Sequence, residues 1–152
     1  MGTSLYLEVP EEEQTLETIR QYYSYVLERK KRVEPEREWP TLETDPDYQG
    51  GKTMLEEFGF FITSQVTSDI FEDLNHVGEQ DPNQLYEFYK QKGTDDLVIY
   101  GETIAELHNL FEQLKHVENP TETFHRDLRI ETQYLALCEF AQEHGYGIGL
   151  SH

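Results

Sequence analysis

Four places in this 152-residue sequence bring together residue types with chemical potential: Gly50-Gly51-Lys52-Thr53, the trio His108, Glu112 and His116, the pair Cys138 and His144, and the closing Ser151-His152. The first resembles the end of a phosphate-binding loop. That loop needs a further glycine with four residues between it and Gly51, and Pro46 stands there. The approach, Thr44-Asp45-Pro46-Asp47, is acidic where a triphosphate would sit. A turn leading into a helix is the expected structure. The His108, Glu112 and His116 side chains recur every fourth residue, the spacing that puts metal ligands on one helix face. They lie away from the stripe Ile104, Leu107, Leu110, Phe111 and Leu114, so a solvated flank is expected and no metal centre.

Cys138 and His144 are six residues apart on one expected helix, about 240° around it, too far round to form a nucleophile and its base. Cys138 among Tyr134, Leu135 and Ala141 reads as a buried, inert thiol. Gly145-Tyr146-Gly147-Ile148-Gly149 follows a helix where a dinucleotide loop opens one. The sequence therefore predicts no catalytic residue, no cofactor and no metal, and points to a protein that binds and does not catalyse.

Charge is the strongest signal. There are 31 acidic and 12 basic residues, a net of −19. Residues 1–50 hold 12 acids and 6 bases, residues 51–100 hold 10 and 3, and residues 101–152 hold 9 and 3, so the excess is not a tail. Such a body repels phosphates and anionic lipid and attracts basic proteins. No basic leader, no signal-length apolar run and no membrane-length segment occurs, which predicts a cytoplasmic protein. One cysteine excludes an internal disulfide.

These features suit an inhibitor of a basic protein, of the immunity or antitoxin kind that guards against a nuclease toxin. A DNA mimic is the first alternative, although the basic run Arg29–Arg32 interrupts it. A small enzyme with an unfamiliar site is the second. The expected contacts are Glu43, Asp45 and Asp47, then Asp69, Glu72 and Asp73, with Trp39 and Tyr48 as anchors.

The elements that must hold these residues follow from periodicity. Residues 4–9 alternate as a strand. Residues 11–32 carry a helical stripe of Leu16, Ile19, Tyr23 and Val26, with Glu11–Glu13 at its positive end and Arg29–Arg32 at its negative end. Residues 34–52, with Pro35, Pro40, Pro46 and Gly50-Gly51, read as a long loop carrying Trp39. A helix is expected over 53–65, although Phe60-Phe61-Ile62 and Thr63–Val66 also suit a strand, and another from Ser68 to Gly78. Asp81-Pro82-Asn83-Gln84 and Thr103 with Glu106 make two capping boxes. Strands are expected at 97–100 and 146–150, a helix at 130–143, and the two strands are placed for a crossover pairing. The sum is a helix-dominated α+β fold in a single domain, 1–152, with about three strands. An entirely helical fold is the alternative. Ten Tyr, eight Phe and one Trp must supply much of its core.

Overall fold

The computed structural model describes residues 3–59, 61–66, 82–115 and 127–151. The chain is a helix-dominated α+β fold, and its small sheet rules out the all-helical alternative. Strand β1, Thr3–Glu8, lies inside the sheet. Its neighbours are β2, Thr63–Val66, and β4, Gly147–Ser151. The short β3, Val98–Ile99, closes the far edge, giving the order β2-β1-β4-β3 with every pair antiparallel. The expected crossover pairing of the last two strands is thus replaced by an antiparallel one. Thr63–Val66 adds a strand where a helix over 53–65 was expected, because β1 offers it a free edge.

Alternation along β1 decides which face is inner. Leu5 and Leu7 are buried while Tyr6 between them is only half-buried on the other side. Ile148 and Leu150 of β4 and Ile99 of β3 join the inner face. Helices α1 (Leu16–Val33), α2 (Pro46–Phe58), α3 (Pro82–Lys92), α4 (Glu102–Lys115) and α5 (Ala136–His144) accompany the sheet. Ile19, Tyr22 and Val26 of α1 meet Ile104, Leu107 and Phe111 of α4 and Leu137 and Phe140 of α5 in one core. Phe111 stacks on Tyr134 with ring centroids 4.8 Å apart. Each such large side chain contributes about 1.5–3 kcal/mol by leaving water.

Several boundaries differ from expectation. Glu11–Glu13 form only a 3-10 turn, and α1 starts at Leu16 because the Thr15 hydroxyl caps it, accepting from the Thr18 backbone N–H at 3.3 Å. The segment 34–52 is not one loop. α2 begins at Pro46, with Asp45 as N-cap accepting from Asp47 N at 3.1 Å, and ends at Gly59 in the left-handed conformation. α4 starts at Glu102, so Thr103 sits within its first turn and is not its cap. The expected helix at 68–78 and the Asp81 cap lie outside the described residues.

The last helix carries a feature that periodicity did not suggest. Its first part, Ile130–Leu135, is a π-helix that runs directly into α5. The Glu131 carbonyl accepts from Ala136 N, five residues on, and also from Arg29 Nε at 2.9 Å. A side chain from α1 thus bonds into the widened turn, a known cause of such bulges. Among the described residues, no helix is long and apolar enough to cross a membrane.

Candidate partner-binding groove

Helices α1 and α2 enclose a groove of about 700 Å³. Tyr22, Tyr23 and Val26 line it from α1, and Gly50, Gly51 and Met54 from α2. Phe61 and the π-turn residues Thr132 and Gln133 also line it, as does Asp47 at the start of α2. The two helices approach closely because Gly51 has no side chain. A methyl there would meet the Tyr23 ring at 2.5 Å. Tyr23 also packs edge-on against Tyr22 and Tyr48, with centroids 5.1 and 6.4 Å away. Burial, then the charges of Asp47 and Asp45, push the Tyr23 hydroxyl up to about 12, so it is a neutral hydroxyl at any physiological pH.

The groove opens onto uncovered apolar surface. Met54 is 39% and Phe58 60% exposed, one turn apart on α2, in a helix turn that also carries the exposed carboxylates Glu56 and Glu57. Phe58 is the most exposed large hydrophobic side chain described. An apolar step set among acids is what a protein interface needs: anchors to desolvate and charge to orient.

The residues singled out from the sequence fall into three groups. Glu43 and Asp47 are exposed, paired with Arg20 and Lys30 respectively. Asp45 is buried. One of its carboxylate oxygens caps α2 and lies 3.9 Å from Lys30 Nζ, and the other has no hydrogen-bond partner among the described residues. Tyr48 is also buried, within the core. Both are therefore structural and unavailable as surface contacts, because the α2 start that the proline obscured turns them inward. Trp39 is half-buried and tied to its own loop. Its indole N–H donates to the Glu34 carbonyl at 3.0 Å, and the Arg37 guanidinium lies 4.4 Å from the ring. Asp69, Glu72 and Asp73 lie outside the described residues. Sequence reading missed Tyr23, Met54, Phe58 and Gln133. The signal for the middle two was present: Asp45-Pro46 is a helix-start pair of residue types, and Met54 and Phe58 then share a face.

The described titratable groups gather elsewhere, in a seam between α1 and the last helix. Arg29, expected as helix-end chemistry, is buried and paired with Glu131 and, at 2.7 Å, with Glu139. Lys115 also pairs with Glu131. His108 Nε2 lies 3.0 Å from Glu139, and the Tyr25 hydroxyl donates to Glu139 at 2.8 Å. His108 is therefore half-buried against Glu139 and not on an unshielded flank. Burial raises both carboxyls, but Lys115 and Arg29 outweigh it at Glu131, and His108, Tyr25 and Arg29 outweigh it at Glu139, so both lie below the ordinary 4.5.

Every member of this cluster is answered, which suits a strut and leaves no lone base for catalysis. Among the described residues no three His, Cys, Asp or Glu side chains are arranged to hold a metal; His116 lies outside them. Cys138 is fully buried and burial drives its thiol far up, which keeps it un-ionised. His144 stacks on Phe140 with centroids 4.1 Å apart. No known family, curated protein or solved structure matches this chain.

Proposed function

We propose that this chain is an acidic protein-binding module, an inhibitor of immunity or antitoxin type that docks on a basic protein such as a nuclease and covers its phosphate-binding face. The observation that carries the reading is the exposed apolar step Met54–Phe58, whose Met54 lines the α1–α2 groove, in a fold that pairs most of its bases internally. At least seven of the twelve Lys and Arg side chains, from Arg20 to Lys115, are held in internal ion pairs. Glu56 and Glu57, the exposed acids of the same helix turn, are in no ion pair among the described residues. Unanswered carboxylates steer a cationic partner in, and the apolar step slows its release. A cytoplasmic setting belongs to the same reading, since such an inhibitor meets its toxin where that toxin is made.

The test uses the basic nuclease coded beside this chain in its source genome, if one stands there, titrated by calorimetry from about 0.05 to 0.5 M salt. Stoichiometric inhibition that weakens only modestly with salt, and at least about tenfold weaker binding by Phe58→Ser, support an anchored inhibitor. Binding abolished by moderate salt and indifferent to Phe58 favours a DNA mimic held by charge alone. A neighbouring basic nuclease that is not inhibited overturns the proposal.

A further inference from the structure

Gly50 and Gly51 stand side by side inside α2, and the fold accounts for only one of them. A methyl on Gly51 would meet the Tyr23 ring at 2.5 Å, whereas a methyl on Gly50 would meet no described atom within 4 Å. Glycine weakens a helix interior relative to alanine, so Gly50 lowers the stability of α2 with no internal contact in return. Its place in the groove supplies a reason. Pro46, Gly50 and Met54 recur at every fourth residue, one row along α2, and all three line the groove. The missing side chain leaves a gap in that row, where another backbone can approach the helix closely.

Two polar groups of the lining call for an occupant of a particular kind. The half-buried Gln133 side chain and the Tyr23 hydroxyl make no hydrogen bond among the described residues. An occupant that drives water from the groove must answer them or leave them unpaired. A helical segment has already used its own N–H and C=O groups. An extended segment still offers both, and the glutamine amide, with a donor side and an acceptor side, matches a peptide unit. Tyr22, Val26, Met54 and Phe61 give the same groove an apolar wall for side chains. Asp47 also lines it, and Glu56 and Glu57 are exposed further along α2 in a chain of net charge −19, so the favoured segment is cationic.

We propose, resting on the groove reading above, that the groove takes an extended cationic segment of the partner, its backbone passing over Gly50 and hydrogen-bonded to the Gln133 amide. Main-chain bonds then hold the segment, and alternate side chains meet the apolar wall and the solvent.

The probe is a capped decapeptide of alternating lysine and valine, titrated into the intact chain at about 0.15 M salt and followed by NMR. Valine at every second position favours an extended backbone and puts the apolar side chains on one side. Binding is expected to shift the Gly50 backbone amide and the Gln133 side-chain amide. Gly50→Ala should raise the melting temperature by about 2–4 °C, since alanine is the better helix former and the space is open. The same substitution should weaken the peptide at least about fivefold, and the two opposite signs separate binding from structure. Gln133→Ala should weaken it about three- to tenfold, and N-methylation of the valine amides at least about tenfold. Unmoved Gly50 and Gln133 amides, an affinity indifferent to Gly50→Ala, or tighter binding of a lactam-stapled helix of the same composition each overturns the proposal. A peptide that binds as expected while the neighbouring nuclease goes uninhibited overturns the inhibitor reading alone. A nuclease inhibited through Phe58 but indifferent to Gly50→Ala overturns this proposal alone.

Discussion

Helix α1 carries charge on two sides and the two behave differently. On one side Arg29 enters a buried seam where Glu131, Glu139, Lys115 and His108 answer one another. On the other, Arg20 and Lys30 reach Glu43 and Asp47 at the edge of the groove, where those two acids are solvated. The residue types are the same; what differs is access to water. Desolvated charges must be matched nearly one for one or they unfold the region, whereas solvated ones can accumulate. In a chain with net charge −19, Arg29 and Lys115 stand where burial demands a base, and acids such as Glu43 and Asp47 stay in solvent.

The largest effect should come from breaking the seam. Arg29→Met keeps the side chain's length and removes its charge, leaving Glu131 and Glu139 short of a partner and the Glu131 carbonyl short of a donor. Loss of about 3 kcal/mol is expected, read by urea denaturation as a lower midpoint at unchanged slope. A loss below about 1 kcal/mol would mean that the seam is no more than a surface pair, and the contrast drawn above would fail.

Acid should reach the same seam by another route. The Glu131 and Glu139 carboxyls are held below 4.5 in the fold, so their ionised forms stabilise it. The stabilisation is complete above the unfolded-state value and is lost as pH falls through the lower folded-state values, because the unfolded chain takes up protons first. Each unit of depression is worth about 1.4 kcal/mol. The melting temperature should fall steadily below about pH 4.5, and less steeply in Glu131→Gln than in the parent. Identical acid slopes in the two would move the cause to the general charge of the surface.

The sequence made some of this legible and hid the rest for physical reasons. β1, α3, α4 and β4 were readable because each is marked locally, by alternation or by an apolar stripe. α2 was hidden by Gly50-Gly51, a pair that usually breaks a helix. Here one of them is required by the Tyr23 ring, 28 residues earlier in the chain, a contact that no local window contains. The π-turn escaped because the periodicity argument assumes a constant angle per residue, and Arg29 supplies the bond that breaks the assumption. Of the acidic residues near Trp39 singled out from the sequence, Asp47 lines the α1–α2 groove. Which of them face water depended on where α2 begins: Tyr48 and Asp45 fell inside and Glu43 and Asp47 outside.

The smallest effect sharpens the comparison most. Arg20 pairs with Glu43 as directly as Arg29 pairs with Glu131, yet both its partners in that contact are about half exposed or more. If the geometry of a salt bridge set its worth, Arg20→Gln would cost as much as the loss of Arg29. If access to water sets it, the exposed pair exchanges one hydrated arrangement for another and side-chain freedom offsets what attraction remains. The expectation is a melting temperature unchanged within about one degree, at low salt as at high. The same substitution frees Glu43 and raises the surplus negative charge near the groove, so association with a cationic partner should quicken slightly while dissociation stays the same. A drop of several degrees would show that the outer pairs carry the fold as well, and that burial does not separate the two sides of α1.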